Sequence, residues 1–449
     1  MMDATGDISS RITFDSGNAK EIPVDRRHFI WTAAMAATAA GILNNDVPPI
    51  HAASPAAGMS AIKNANANMP CRRMGKTGVQ VSALGFGMLR LPMLADRRTV
   101  DEGKTIEMLR YGIDNGINYV DTARGYLGGQ SETAVGKALR NGYRDKVHLA
   151  TKLNLSAMRS EADFDRMFDE SRRQLRTDVI DFYLLHHVTT KTWNQSVLPF
   201  KVMEKAERLK REGKIRFLGF SFHDNLALFK HVLDACPDWD FCQLMANYLD
   251  TEYEAGFLGV KYAYERGLAV NCMEPLKAGL LARPPREVQA VFDAAPVKRT
   301  PVEWAFDYLW NMPEIGVVIS GMSNVAQVEE NLRYARRSSV GMLDWNDRVV
   351  IGQAAKRYRD FDGVTDCTGC NNCAPCPKGV AIGSLIGQMW FIYQVTGDKA
   401  AAQGYYDHVP APRGVNAGAC DGCGACLPKC PQHVNIPDML RRMRAELER

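Results

Sequence analysis

The chain has 449 residues, of which 46% are hydrophobic and 24% charged, with a formal net charge of +4. This is the composition of an ordinary folded globular protein. So small an excess of basic residues, with no basic stripe interleaved with aromatics, excludes a protein built to grip nucleic acid, and the length allows one domain of about 250 residues with appendages at both ends.

At the amino terminus, Asp25-Arg26-Arg27-His28 precedes an alanine-rich apolar run, residues 29–43, followed by Pro48, Pro49 and small residues around 52–57. The order basic, apolar, small resembles a twin-arginine export signal. The apolar run is shorter and weaker than the roughly 20 strongly apolar residues that cross a bilayer, so no stable membrane span is expected. The resemblance implies export to the periplasm, with residues 1–57 as signal and leader and an Ala/Asn-rich linker over 58–71.

From residue 81 the chain alternates short apolar runs with amphipathic helical patterns. The runs at 81–88, 117–123, 147–153, 179–186, 215–222, 241–248, 268–276 and 316–321 read as strands. Between them, stretches such as 163–176, 201–212 and 302–310 carry apolar residues at three- and four-residue spacing. Eight such units in sequence predict an α/β fold, a (β/α)8 TIM barrel over 72–345, in which chemistry gathers at the carboxyl ends of the strands. Asp121, Lys152 and His186 all fall at such ends. Trp304, Phe306 and Trp310 read as helix packing.

Asp121-Thr122-Ala123-x-x-Tyr126, Gly129-Gln130-Ser131-Glu132, Gly136-Lys137-Ala138-Leu139, Ala150-Thr151-Lys152 and Tyr183-Leu184-Leu185-His186 occur in this order. In that order they resemble the aldo-keto reductases, over about residues 72–337. The resemblance implies a catalytic tetrad of Asp121, Tyr126, Lys152 and His186, with Tyr126 as proton donor to a substrate carbonyl oxygen. A free phenol has a pKa near 10, so an adjacent ammonium is expected to bring it towards the working pH. Four convergent titratable groups of this kind rarely sit idle in a pocket. His187, next along the strand, is expected on the opposite side, as pocket rim or core.

The same resemblance implies a nicotinamide cofactor, NADP or NAD. Gly87 and Met88 end the first strand beside it, Ser221 and Gln243 hold its amide, and Pro275 and Leu276 follow its pyrophosphate. Gly321, Ser323, Gln327, Glu330 and Asn331 match the adenosine end, at the start of a helix whose free N–H groups suit a phosphate. Gly321 and Gln327 replace the Lys and Arg that some relatives place on the 2′-phosphate. By itself this stretch also reads as a capped helix, for which Ser323 and Asn324 would suffice.

Eight of the twelve cysteines form two runs, Cys367-x2-Cys370-x2-Cys373-x2-Cys376-Pro377 and Cys420-x2-Cys423-x2-Cys426-x3-Cys430-Pro431. These spacings resemble bacterial two-cluster ferredoxins and imply two 4Fe-4S clusters in a domain over 346–449. In such modules the fourth cysteine of each run serves the other run's cluster. Helical character at 384–395 points to a small α-helical ferredoxin-like domain. Zinc held by paired cysteines, or disulfides in an exported protein, would also use thiols at such spacings. Cys71, Cys236, Cys242 and Cys272 lack spacing and read as packing residues.

Together these readings predict an oxidoreductase that exchanges hydride between a nicotinamide and a small carbonyl or alcohol. Its two clusters would pass electrons to a redox protein or a quinone-linked partner. An alternative from another class is a redox-responsive binding protein with structural clusters.

Overall fold

The computed structural model describes residues 68–96, 98–236, 238–361, 363–408 and 415–447, all within one unit, Ala53–Arg449. The export segment and all but the end of the linker lie outside the described residues.

Ten strands are present among them: β1 (Cys71–Arg73), β2 (Gln80–Ser82), β3 (Leu84–Gly87), β4 (Tyr119–Asp121), β5 (His148–Asn154), β6 (Ile180–Val188), β7 (Ile215–Phe222), β8 (Phe241–Met245), β9 (Ala269–Met273) and β10 (Ile315–Gly321). The last eight close a barrel in the order β10-β3-β4-β5-β6-β7-β8-β9, and every pairing in it is parallel. Helices follow the strands, as the sequence periodicity requires.

The single apolar run expected at 81–88 is in fact two strands. Ser82 turns the chain between them: its N–H donates to Oδ1 of the distant Asn118 at 2.7 Å and its hydroxyl to the nearby Leu84 carbonyl at 2.7 Å, so side-chain bonds hold the turn there. β2 pairs instead with β1 as an antiparallel hairpin, which places Cys71 in a strand. β8 ends earlier than its apolar run because Oδ1 of Asn247 accepts from the N–H groups of Leu249 and Asp250 and closes a turn. β9 stops before Glu274, whose φ is +54°.

Two apolar clusters build the barrel. Tyr119, Ala150, Phe182, Leu184, Phe217, Phe241, Ala269, Val317 and Ile319 fill its interior; a larger cluster packs the helices around it. Trp304, Phe306 and Trp310 belong to the outer cluster, and the Trp310 indole donates to the Ala83 carbonyl at 2.9 Å. They pack helices, as expected.

The tail begins with helix Trp345–Arg359, capped by Asp344. Its Ile351, Ala354 and Tyr358 are buried in the outer cluster of the barrel. A separate core gathers Val380, Ile382, Leu385, Ile386, Leu440 and Met443 with partly buried cysteines. The expected helical segment runs over 383–396 and presents two faces: Leu385, Ile386 and Met389 to the tail core, Phe391 and Val395 to the barrel. The architecture is a (β/α)8 barrel followed by a helical ferredoxin-like domain.

Candidate active site and cysteine centres

Strand alternation decides which side chains meet. In a strand, residues two apart share a face, so the residue two places beyond a barrel-interior side chain also points inward. Asp121 follows Tyr119, Lys152 follows Ala150, and His186 follows Leu184. Ser221, Gln243 and Asn271 stand in register at the same end of β7, β8 and β9. Gly87 pairs with both Asp121 and Gly321.

At the centre, Nζ of Lys152 donates to Oδ1 of Asp121 at 2.6 Å and to the Thr122 carbonyl at 2.8 Å. Both side chains are buried, while Oδ2 of Asp121 finds no hydrogen-bond partner. Tyr126, half-buried on the turn after β4, lies above them, with the ammonium 4.8 Å from its ring centre. The His186 ring meets Tyr126 edge to face at 5.7 Å. The four residues singled out in the sequence thus converge on one spot.

Their electrostatics differ in one respect from the expectation. Burial pushes the Tyr126 phenol above its ordinary value; Lys152 pulls it down, but not far enough to reverse the direction. Burial likewise pulls the Lys152 ammonium down, yet Asp121 and then Tyr126 outweigh it, and the lysine stays charged. In the closed pocket Lys152 therefore limits a rise in the phenol pKa and does not produce a fall below the free value.

His187 departs from regular strand geometry. β6 and β7 shift register between Leu185 and Val188, His187 takes φ +62°, and its exposed ring stacks on His223 at 4.4 Å. It is pocket rim. Nδ1 of His223 in turn lies 3.1 Å from Oε1 of Glu254.

The residues assigned to a nicotinamide occupy an arc around this centre. The Ser221 hydroxyl accepts from the His187 N–H at 2.8 Å. Gln243 is buried with Oε1 unpartnered, an acceptor that an amide N–H would satisfy. Met88 is buried, its carbonyl bound by the Ser131 hydroxyl at 2.7 Å. Pro275 and Leu276 lead into a loop in which Glu274, Lys277 and Ala278 all have positive φ.

At the far end of the arc, Asn324 caps helix Val325–Ala335 by accepting from the Gln327 N–H at 2.9 Å. Oε1 of Gln327 accepts from the Ser323 N–H at 2.7 Å. Glu330 accepts from the Tyr334 hydroxyl at 2.6 Å, and Asn331 braces the end of β10 through Ser320 at 3.0 Å. Gln327, Glu330 and Asn331 thus build the helix start, and Gly321 leaves room that the Arg90 side chain enters.

Two features escaped the sequence reading. Asn271 is buried beside Gln243 with Oδ1 unpartnered, while its amide donates to the Tyr119 hydroxyl at 2.8 Å; its inward position two places after Ala269 was a readable signal. Lys277 is fully buried against Asp250, with Nζ 2.6 Å from Oδ1 and 2.8 Å from Oδ2. A loop lysine carries no signal of burial in the sequence.

In the tail, Cys367, Cys370, Cys373 and Cys430 rim one cleft. The electrostatic neighbours of Cys426 are Cys420, Cys376 and Cys423. Each run therefore contributes its fourth cysteine to the other's group, despite the shorter gap before Cys376. None of the twelve cysteines is joined in a disulfide. Among the described residues no three His, Cys, Asp or Glu side chains converge as one ion requires. Two groups of four thiols, each drawn from both runs, are the donor sets that two 4Fe-4S clusters use.

Comparison with known proteins agrees with this geometry. The aldo/keto reductase family pattern matches residues 83–340. The chain belongs to that family. A 4Fe-4S dicluster domain pattern matches residues 366–436 of this reductase. It is 30% identical to the L-galactose dehydrogenase of Arabidopsis thaliana over 284 residues, covering 58% of this chain and 86% of that one. An aldo-keto reductase of Bacillus halodurans, solved in its holo form, is 28% identical with a TM-score of 0.54, over 64% of this chain and 97% of the other. An aldo-keto reductase of Klebsiella pneumoniae in complex with NADPH, at 24% identity and a TM-score of 0.51 over 64% and 94%, shares the fold. The protein is thus an iron-sulfur oxidoreductase of the NAD(P)-dependent aldo-keto reductase type. Among its described residues no helix is long and apolar enough to cross a membrane.

Proposed function

We propose that this reductase exchanges hydride between NADP, or NAD, and a small carbonyl or alcohol, and that two 4Fe-4S clusters link that exchange to an external redox partner. The observation that carries the reading is the buried Lys152–Asp121 pair directly beneath Tyr126 and His186. When bound, the nicotinamide supplies or accepts the hydride and the clusters supply or accept single electrons.

The chain's own residues do the rest. Oη of Tyr126 gives its proton to the substrate oxygen as charge develops there. Lys152, fixed by Asp121, limits how much harder burial makes that transfer, and His186 orients the oxygen beside the phenol. Gln243 and Ser221 would hold the nicotinamide amide, with Asn271 beside them. Gly87, Met88, Pro275, Leu276 and the 321–331 segment would line the remainder of the cofactor. Cys367, Cys370, Cys373 and Cys430 would hold an inner cluster, and Cys376, Cys420, Cys423 and Cys426 an outer one.

One hydride carries two electrons, and two clusters accept one each, so the numbers balance with a proton released. The Arg26-Arg27 segment supports export to the periplasm with these groups already on board.

The test is anaerobic addition of NADPH, and separately NADH, to cluster-replete protein, followed by electron paramagnetic resonance and absorbance. Reduction of the clusters is expected. Nicotinamide consumed by a panel of small carbonyls with the clusters unchanged would remove the coupling and leave a conventional reductase.

A further inference from the structure

The tail meets the barrel at the loops that follow β8 and β9. The Glu254 N–H donates to the Gly369 carbonyl, inside the first cysteine run, at 3.1 Å. Gly369 has φ +70°, and a Cβ there would come within 2.2 and 2.3 Å of two carbons of the Tyr253 ring, so that ring packs directly on the loop between Cys367 and Cys370. The Tyr253 hydroxyl donates to Oε1 of Gln388 in the tail helix at 3.1 Å. The Arg359 guanidinium spans the joint, donating to the carbonyls of Leu249 at 3.3 Å and Cys367 at 3.4 Å.

Lys277 sits in the middle of this joint. Its ammonium is clasped by both oxygens of Asp250. It also lies 5.6 Å from the Tyr253 ring and 5.3 Å from the ring of Phe391, a tail residue. Lys277 immediately follows Pro275-Leu276, and the loop around it is held in an unfavourable backbone: Glu274, Lys277 and Ala278 are non-glycine residues at φ +54°, +45° and +53°. Such conformations persist only where surrounding contacts over-determine them. Here those contacts come partly from the tail, since the Tyr358 hydroxyl also donates to the Leu280 carbonyl at 3.2 Å.

We propose that Lys277 is a positioning residue that fastens the cofactor loop to the tail, so that the nicotinamide is held as a slowly exchanging group and the docked tail controls its release. This rests on the reading that Pro275 and Leu276 follow the pyrophosphate. It gives the tail a purpose in the barrel's chemistry: a cofactor that leaves slowly must be reoxidised or re-reduced where it sits.

The test loads full-length, cluster-replete protein with NADPH, adds excess NADP+, and follows the loss of bound-NADPH fluorescence. Slow release is expected from the wild type. Lys277→Met should accelerate it at least about tenfold, the scale of losing one buried charged contact, with the cluster resonance signal unchanged. Phe391→Leu keeps apolar bulk in the tail and removes the ring that underlies both the Lys277 ammonium and, at 4.7 Å, the Arg359 guanidinium of the same joint; it should also speed release, and it carries the test if Lys277→Met fails to fold. NADPH that binds but leaves the wild type as fast as it leaves Phe391→Leu would overturn the proposal alone. A wild type that binds neither NADPH nor NADH would overturn the nicotinamide reading and the proposal with it.

Discussion

Tyr126 is the residue on which the proposed chemistry turns, and its loss should separate catalysis from folding. Tyr126→Phe removes one hydroxyl from a half-buried ring and leaves the Lys152–Asp121 pair in place. Turnover of carbonyl substrates should fall by about 10²- to 10⁴-fold, the range of a positioned general acid. NADPH affinity and thermal midpoint should stay near wild type; steady-state kinetics beside a fluorescence titration would show whether they do. His223 makes a second prediction at this scale. Burial depresses its pKa to about 4, against about 6.5 in an unfolded chain. Between those values the unfolded chain takes up a proton that the folded chain does not, so His223 lowers stability as pH falls through that window. His223→Gln can still bond Glu254 and should flatten this loss. Its thermal midpoint relative to wild type should rise steadily from pH 7 to pH 4 and show no pH-dependent gain above pH 7.

At the scale of the element, helix Pro301–Trp310 shows how locally some of the fold is written. The Thr300 hydroxyl accepts from the Glu303 N–H at 3.2 Å, and Oε2 of Glu303 in turn accepts from the Thr300 N–H at 2.8 Å. With Pro301 in the first turn, this start was legible in the sequence as T-P-x-E. Thr300→Ala should cost about 1 kcal/mol, somewhat more for the lost bond to the Tyr334 hydroxyl at 3.0 Å, measurable as a lowered denaturation midpoint. The barrel and the strand-end positions of Asp121, Lys152 and His186 were legible for a related reason, since alternation along β4, β5 and β6 is a local rule; Tyr126, on the turn after β4, joined them only through the motif resemblance. The split of the first apolar run was not legible, because the bond from Ser82 reaches Asn118, 36 positions away. Nor was the burial of Lys277, which depends on Asp250 from one loop and Phe391 from the tail. Periodicity reports what a strand or helix does to its own residues; it is silent on contacts that only the closed tertiary structure creates.

For the whole molecule, the two cysteine runs are interleaved in space although they are separate in sequence. Cys430 from the second run stands with Cys367, Cys370 and Cys373 against the barrel, while Cys376 from the first run stands with Cys420, Cys423 and Cys426, of which Cys423 is exposed. This crossing ties the two ends of the tail together, so neither half of the domain can hold a complete set of thiols alone. It also assigns different positions to the two groups, one beside Tyr253 of the barrel, the other with Cys423 exposed where a partner could reach it. The crossing predicts a pairing of phenotypes that sequence order would not. Cys430→Ser should abolish the same resonance signal as Cys367→Ser, and Cys376→Ser the same signal as Cys423→Ser, each with the loss of about half of the bound iron. If Cys430→Ser instead matched Cys423→Ser, ligation would follow sequence order and the cleft at Gly369 would not be a complete cluster site.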